Sequence, residues 1–274
     1  MENEQVKILS PKLDVVFQAL FGEVGSERIT KNFLESILKR KIEKIDLSKN
    51  PILRREFKND KLGVLDILAK INEGENCNIE MQILDKSDTI ERILYYWSRL
   101  YSRQIKMGES YKSLEKTIVI LIADFKLEEL KELKYHSSWK ILEENNRKTI
   151  LTNKLEIHII ELPKIVGNED KKDELLDWLY FLENPKSERV EKKMKENEGL
   201  KEANEKLNGL SEDEKMQRIA WWRQKAIMDE KAIYSKGVQE EKEEIARKML
   251  GEKMDIILIS KLTGLTKEEI EKLK

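Results

Sequence analysis

A run of seven residues without a charged side chain, Thr117-Ile-Val-Ile-Leu-Ile-Ala123, limits most strongly what this chain can fold into. Successive side chains of a strand point to opposite faces of its sheet, so a strand that is apolar on both faces must be covered on both. The missing polar alternation therefore predicts a central strand, in a sheet flanked by helices. The apolar stretch is also far too short to cross a bilayer.

Segments with helical or strand periodicity lie on either side of this run. Apolar residues at helical spacing predict helices over about 10–22, 26–39, 88–107 and 173–182. Apolar strand patterns predict strands over about 62–71, 76–84 and 155–162. The turn over 72–75 has the length of a hairpin connection between the first two of these strands. The sequence therefore predicts an α/β protein with a mixed sheet flanked by helices.

The amino-acid composition of the chain changes near Pro185. Residues 186–274 are about 46% charged, against about 35% for residues 1–185, and all four prolines lie in the first part. This shift predicts an α/β domain over 1–185, followed by an α-helical extension over 186–274 that consists of a charged linker and a small tail.

The tail has the pattern of two short helices around a glycine. Gly264 suits the turn, and Thr266 with Glu269 forms a capping box for the second helix. This arrangement resembles a helix-turn-helix. The second helix carries three glutamates, which phosphates repel, so we favour an interaction or oligomerisation module over a DNA reader. We expect a homo-oligomer formed through the C-terminal helices.

Two carboxylates in the predicted hairpin do not fit a plain apolar core. Asp66 lies in the middle of an apolar strand, while Glu80 and Gln82, two residues apart, share one face of the next strand. If the strands pair, these three side chains converge, and a buried carboxylate needs a compensating cation. Two carboxylates make an oxygen site suited to Mg²⁺. The alternative is that both acids lie on an exposed hairpin edge without a role.

Several segments together resemble one known family. They are Ser10-Pro-Lys-Leu-Asp-Val-Val-Phe17, Leu65-Asp-Ile67, Asn78-Ile-Glu-Met-Gln82, Arg92-Ile-Leu-Tyr-Tyr-Trp-Ser-Arg-Leu-Tyr-Ser-Arg-Gln104, Asp177-Trp-Leu-Tyr-Phe-Leu182, Ala246-Arg-Lys-Met-Leu250 and Leu262-Thr-Gly-Leu-Thr266. In order and spacing they are similar to the recombination-promoting nuclease/transposase family of the PD-(D/E)XK nuclease superfamily. The resemblance implies a restriction-endonuclease-like fold, and a metal-dependent DNA endonuclease linked to recombination or mobile elements. It also implies Mg²⁺, or Mn²⁺, as cofactor and DNA as partner.

The resemblance assigns roles residue by residue. Asp66 and Glu80 would bind the metal, and Asp14 on the first helix would be an auxiliary ligand, unless it is an exposed helix carboxylate. Gln82 occupies the position where the fold usually has a lysine. Because a glutamine has no proton to give up near neutral pH, it can only hydrogen-bond a water. Lys70 or a second metal is the expected substitute. The alternative is a nuclease fold that has lost turnover and serves as a DNA-binding or assembly module.

Gln104 is the remaining candidate site residue. It projects on the apolar side of the helix predicted over 88–107, where its amide needs a hydrogen-bond partner. Its partner is either a nearby main-chain group or the pocket of Asp66, Glu80 and Gln82. The basic stripe of the same helix, which includes Arg92, is expected to face solvent.

The composition of the chain indicates the cellular compartment of the protein and excludes one class of DNA-binding protein. The single cysteine, Cys77, cannot form an intrachain disulfide, and the polar first residues are unlike a signal peptide. We therefore expect a soluble, cytoplasmic protein without a membrane partner. The net charge of −1 excludes a globally basic, histone-like DNA binder, but it permits a local basic cleft.

Overall fold

The computed structural model describes residues 7–48, 52–53, 63–64, 66–169 and 171–273. The strands are β1 (Ile45–Leu47), β2 (Ile52–Leu53), β3 (Gly63–Val64), β4 (Ile67–Ile71), β5 (Glu75–Gln82), β6 (Thr117–Ala123), β7 (His136–Leu142) and β8 (Ile150–Glu161). The helices are α1 (Asp14–Phe17), α2 (Glu27–Leu38), α3 (Thr89–Ser102), α4 (Glu174–Glu183), α5 (Glu188–Lys193), α6 (Glu198–Glu212), α7 (Glu214–Gly251), α8 (Ile256–Thr263) and α9 (Lys267–Glu271). A π-helical turn, Gln18–Gly22, continues α1.

Six strands form one mixed sheet, in the order β1-β4-β5-β6-β8-β7, and β2 pairs separately with β3. The central strands β5, β6 and β8 are parallel, while the remaining neighbours pair antiparallel. All seven residues of β6 are buried, which confirms the prediction of a strand covered on both faces. The predicted fold class, a restriction-endonuclease-like mixed sheet flanked by helices, is likewise confirmed.

Helices cover the sheet on its two faces. On one face Ile93 of α3 packs against Val119, Leu121 and Ala123 of β6. By alternation Ile118, Ile120 and Ile122 point to the other face, on the side where α1 meets β5.

A cluster of aromatic rings ties the first helices to α4. The ring centroid of Phe21 lies 5.1 Å from that of Phe33 and 5.8 Å from that of Trp178, and all three side chains are fully buried. The Trp178 indole donates a hydrogen bond of 3.1 Å to Asn32 Oδ1, so its polar atom is satisfied inside the cluster.

The predicted strand over 62–71 is divided in two. Residues 63–64 pair with β2, residues 62 and 65 lie outside the described part of the chain, and the main-sheet strand begins at Ile67. Asp66 lies just before β4, and its Oδ2 accepts a 2.7 Å hydrogen bond from the Met81 N–H. The Asp66 carboxylate thus accepts a hydrogen bond from the main chain of β5 just beyond the last residue pair of the two strands, Ile67 and Ile79.

Residues 186–212 belong to the first compact unit of the chain, which ends at Trp221, within α7. The position of a Cβ on Gly199 would lie 2.6 Å from Asn32 Cβ, so α6 packs on α2 at a distance that only glycine permits. Leu200, Ala203 and Leu207 of α6 are fully buried. The expected boundary at Pro185 thus lies too early, because α6 has a buried face that packs on α2 although many of its residues are charged.

The second unit, residues 222–273 of the described chain, has a small core of its own. Ala246, Ile259, Leu265 and Ile270 are buried together there. Gly264 has the left-handed φ of 74°, and the capping box of Thr266 and Glu269 is present. Both local features agree with their prediction from sequence.

No helix in the described portion of the chain combines the length and the apolar character needed to traverse a bilayer.

Candidate active site

The hairpin of β4 and β5 brings two carboxylates to neighbouring positions. Ile67 is paired with Ile79, so the next positions outward, Asp66 and Glu80, lie side by side. Glu80 pairs with Leu121 of β6, which places its side chain on the face covered by α3. Glu80 is only 3% exposed, whereas Asp66 is half-buried. The sequence prediction that these two residues converge agrees with this placement.

Each carboxylate is held by a hydrogen bond from β5. Asp66 Oδ2 accepts from the Met81 N–H, and Glu80 Oε1 accepts a 2.9 Å hydrogen bond from the amide nitrogen of Asn78. Asn78 is fully buried, and its Oδ1 has no hydrogen-bond partner among the residues that the structure describes. The Asn78 oxygen and the Glu80 carboxylate are thus two neighbouring buried acceptors, which a cation or a hydrogen-bond donor would stabilise.

The proximity of the two acids changes their protonation. Burial raises the pKa of Glu80 to about 8, and the negative charge of Asp66 adds to this effect. The hydrogen bond from Asn78 and the positive charge of Arg92 act in the opposite direction, but more weakly. The protein alone therefore holds a proton on Glu80 near neutral pH, and a bound cation would favour the ionised pair.

Helix α3 supplies a cation and a phenol to this environment. Burial raises the pKa of the Tyr96 hydroxyl, and the charge of Glu80 raises it further, while Arg92 lowers it. Arg92 and Arg99 are half-buried, whereas Arg103 and Lys106 are exposed. The expectation that the basic stripe of this helix faces solvent is therefore wrong for its first half, because Arg92 is half-buried and close enough to Glu80 for its charge to act on the pKa of that carboxyl.

Gln82 ends β5 two residues beyond Glu80 on the same face, and it is half-buried. Its main-chain oxygen accepts a 2.8 Å hydrogen bond from the Asp124 N–H. Asp124 also binds Lys12, whose ammonium lies 3.0 Å from Asp124 Oδ1 and 3.0 Å from Glu183 Oε2. Lys12 thus joins the end of β6 to α4, close to the strand end that carries Gln82.

Lys70, the expected substitute for the missing lysine, lies at the far end of the hairpin. It is exposed and pairs with Asn76, four residues along the strand from Asp66, which is a distance of about 13 Å. Lys12, in the segment Ser10-Pro-Lys12, is instead the lysine that lies near the end of the sheet with Gln82, because it pairs with Asp124. The family-like segment contained this signal, although no role was assigned to its lysine.

Asp14 begins α1, and its Oδ1 accepts a 2.9 Å hydrogen bond from the Val15 N–H. One turn later, the π-helical turn packs on the start of β4, since a Cβ on Gly22 would lie 3.2 Å from Ile67 Cγ1 and 3.6 Å from the Asp66 carbonyl oxygen. Within the described ranges, no group of three acidic, histidine or cysteine side chains is close enough to hold a metal ion. The auxiliary role of Asp14 therefore stays a prediction.

Gln104 lies away from the carboxylates. Its amide nitrogen donates to the Glu115 carbonyl (3.1 Å) and to Thr117 Oγ1 (2.9 Å), and its oxygen accepts from the Glu115 N–H (2.7 Å). Thr117 pairs with Asn76, at the opposite end of β5 from Glu80 and about 13 Å along the strand. The predicted placement in the pocket is therefore wrong. The amide fixes the segment that returns to β6, as the alternative main-chain interpretation expects.

A separate polar cluster lies on β7 and β8. His136 Nε2 and His158 Nδ1 share a hydrogen bond of 2.9 Å, and His158 Nε2 lies 2.8 Å from Glu156 Oε1. Burial, with the neighbouring His158, lowers the pKa of His136 to about 4, and the hydrogen bond from His158 lowers the pKa of Glu156 to about 2. At neutral pH His136 is therefore uncharged and Glu156 ionised, and the hydrogen bond between the two histidines joins β7 to β8.

The mixed sheet and the carboxylate pair on adjacent strands define a restriction-endonuclease-like nuclease fold. Residues 11–237 match a family described as PD-(D/E)XK nuclease family transposase. Residues 239–274 match a family described as Rpn/YhgA-like nuclease family, C-terminal HTH domain. The chain therefore belongs to the PD-(D/E)XK nuclease family of transposases, with the Rpn-like C-terminal helix-turn-helix, as the resemblance of its segments predicted. Comparison with curated proteins and with solved structures finds no match.

Proposed function

We propose that this protein is a DNA endonuclease that hydrolyses phosphodiester bonds with the help of a divalent metal ion, in recombination or the movement of mobile elements. The observation that carries the proposal is the pair of a buried Glu80 and a half-buried Asp66 at adjacent positions of the hairpin in a nuclease fold. Burial and the charge of Asp66 raise the pKa of Glu80 to about 8, and carboxyl groups perturbed in this way are concentrated at functional sites.

The donor set at this place fits Mg²⁺ or Mn²⁺. Both ions prefer oxygen ligands, and the carboxylates of Asp66 and Glu80 would hold the ion. The unpaired, buried oxygen of Asn78 adds negative potential beside them, within the described part of the structure. When bound, the metal would lower the pKa of a water and offset charge on the phosphodiester. Asp14 is proposed as a further ligand, since its helix α1 contacts β5, the strand that carries Glu80.

The chain's own groups would bind and orient the reactants. Gln82 would hydrogen-bond the attacking water, although it cannot remove the water's proton. Arg92 is half-buried near Glu80, so its guanidinium is suited to bind the anionic phosphate. Asn78 would keep Glu80 in one orientation through the hydrogen bond to Oε1.

The test is cleavage of supercoiled plasmid with Mg²⁺, Mn²⁺, Ca²⁺ or EDTA. We expect nicking with Mg²⁺ or Mn²⁺ and none in EDTA, and we expect the Asp66→Asn and Glu80→Gln variants to lose it. Glu43→Gln is the matched control, because Glu43 is exposed and precedes β1 at the other end of the sheet. Wild-type cleavage rates in either site variant would contradict the assignment.

A second candidate function is a nuclease fold without turnover that binds DNA or assembles with other copies. The observation in its favour is Gln82, which replaces the usual lysine without another lysine in the hairpin close to the acids. The C-terminal helix-turn-helix supports DNA binding, although its last helix carries Glu268, Glu269 and Glu271. Oligomerisation through the C-terminal helices and a cytoplasmic location belong to the same proposal. DNA binding without cleavage under any divalent ion would favour this second function.

A further inference from the structure

Five lysines line one depression at the carboxyl ends of β6 and β8. The depression has a volume of about 500 Å³, and its lysines are Lys126, Lys131, Lys134, Lys164 and Lys171. No aspartate or glutamate of the described residues lines it. Because the whole chain carries a net charge of −1, this lysine cavity is a local concentration of positive charge.

The five ammonium groups are not equally available. Lys164 is fixed, since it donates to the carbonyls of Leu130 (2.6 Å) and Leu133 (3.2 Å) and pairs with Glu161 (2.6 Å). Lys131 pairs with Glu128 at the surface, and such exposed pairs contribute little and exchange readily.

Lys126, Lys134 and Lys171 are exposed, and none of them forms an ion pair with another described residue. Lys164 thus builds the wall of the lysine cavity, and the other three side chains contribute positive charge that no described ion pair holds.

The register of the sheet relates the lysine cavity to the carboxylates. Gln82 pairs with Ala123, and Ala123 pairs with Glu161, so these residues form a row across β5, β6 and β8. Two strand spacings give about 10 Å, and the step back from Gln82 to Glu80 adds about 7 Å along β5. These two displacements are perpendicular, so Glu161, which pairs with Lys164 of the lysine cavity, lies about 12 Å from Glu80 at the same end of the sheet.

We propose that the lysine cavity binds the DNA backbone beside the phosphodiester that is cleaved. This inference rests on the proposed function for the position of that phosphodiester. Phosphates of one strand are spaced about 3.4 Å along the duplex axis, so the distance corresponds to at least about three to four base pairs to one side. Lysine ammonium groups act as point charges on phosphates and carry no base information, so the contact positions DNA without selecting a sequence.

The test compares two triple variants of the full chain. One carries Lys126→Ala, Lys134→Ala and Lys171→Ala. The control carries Lys44→Ala, Lys106→Ala and Lys112→Ala, which removes the same charge from exposed lysines before β1, after α3 and before β6. Binding to a fluorescent duplex is measured in EDTA, where a metal-dependent nuclease does not cut, over about 50 to 200 mM salt.

The cavity variant should lower the slope of log K against log salt by about 2 to 3, because each lost phosphate contact removes about 0.9. The control should keep the wild-type slope. A third variant with arginine at the three cavity positions should also keep it. Equal losses in both alanine variants, or no loss in either, would overturn the proposal.

The outcome can be separated from that of the proposed nuclease activity. A salt slope that falls only in the cavity variant supports the lysine cavity, even if wild type never cleaves plasmid. If cleavage depends on Asp66 and Glu80 but the salt slope of the cavity variant is unchanged, the proposed nuclease activity is supported and the proposed role of the lysine cavity is refuted. If the cavity variant loses affinity for polyglutamate but not for duplex DNA, the partner is an acidic protein and the proposal fails.

Discussion

Replacing Glu80 by glutamine should stabilise the metal-free protein while it abolishes cleavage. Burial and the charge of Asp66 raise the pKa of Glu80 from 4.5 to about 8 in the folded protein. Protonated Glu80 is therefore favoured by folding, and this contribution to stability is complete below about pH 4.5 and is lost as the pH rises through about 8. The amide of glutamine is neutral at every pH, and its oxygen can still accept the hydrogen bond from Asn78.

The expected difference in the free energy of unfolding follows from the pKa shift of Glu80. One pKa unit corresponds to about 1.4 kcal/mol, so the raised pKa lowers stability by about 3 kcal/mol at pH 7, where Glu80 is ionised in the unfolded chain and still protonated in the folded one. The cost approaches about 5 kcal/mol above pH 8. Glu80→Gln should thus raise the free energy of unfolding relative to wild type by an amount that grows from pH 5 to pH 8.

Urea unfolding in EDTA across this pH range measures the difference, with Glu43→Gln as the control. In addition, Mg²⁺ at about 100 times its dissociation constant should stabilise wild type by about 2.7 kcal/mol and leave Glu80→Gln unchanged. A Glu80→Gln variant that is less stable than wild type at pH 8, or that has the same pH dependence, would refute the reasoning.

Three further predictions concern other parts of the chain. Folding lowers the pKa of His136 from 6.5 to about 4, so its contribution to stability is complete above pH 6.5 and is lost as the pH falls through 4. Between pH 7 and pH 5 the free energy of unfolding of wild type should therefore fall by about 2 kcal/mol more than that of His136→Gln, as measured by urea titration. Gln104→Leu should cost about 1–3 kcal/mol in the same assay and leave plasmid nicking unchanged, because it breaks the bonds to Glu115 and Thr117. A chain that ends after Trp221 should keep its melting temperature by circular dichroism, whereas one that ends after Pro185 should melt lower, since it uncovers α2; equal melting temperatures would contradict this.

The sequence contained enough to predict the centre of the fold and the carboxylate pair. The apolar run of β6 has only one stable environment, and the period of two in β5 places Glu80 and Gln82 on one face. The same period could have identified Asn78, which lies two residues before Glu80 and binds it. These features depend on local spacing, and for this reason they could be derived without coordinates.

The errors concern features that depend on distant parts of the chain. The partner of Gln104 is the segment before β6, whose path after the helix no periodicity reveals. Strand β7 is a largely exposed edge strand whose apolar residues, Trp139, Ile141 and Leu142, all lie in its second half, so its pattern is too short to detect. The orientation of Arg92 follows from how α3 is rotated on the sheet, and a helix with both an apolar and a basic stripe does not specify that rotation.

The two acids are only fourteen positions apart in sequence, in a hairpin closed by the turn over 72–74, and this has a consequence for the order of folding. A β-hairpin forms in about 1–10 μs, whereas the parallel pairing of β5 with β6 must first close the long loop that contains α3. The acids therefore meet while water still surrounds them. Their mutual repulsion is felt most strongly later, when α3 and β6 close over the hairpin. We expect alkaline pH to slow this late step and divalent ions to speed it.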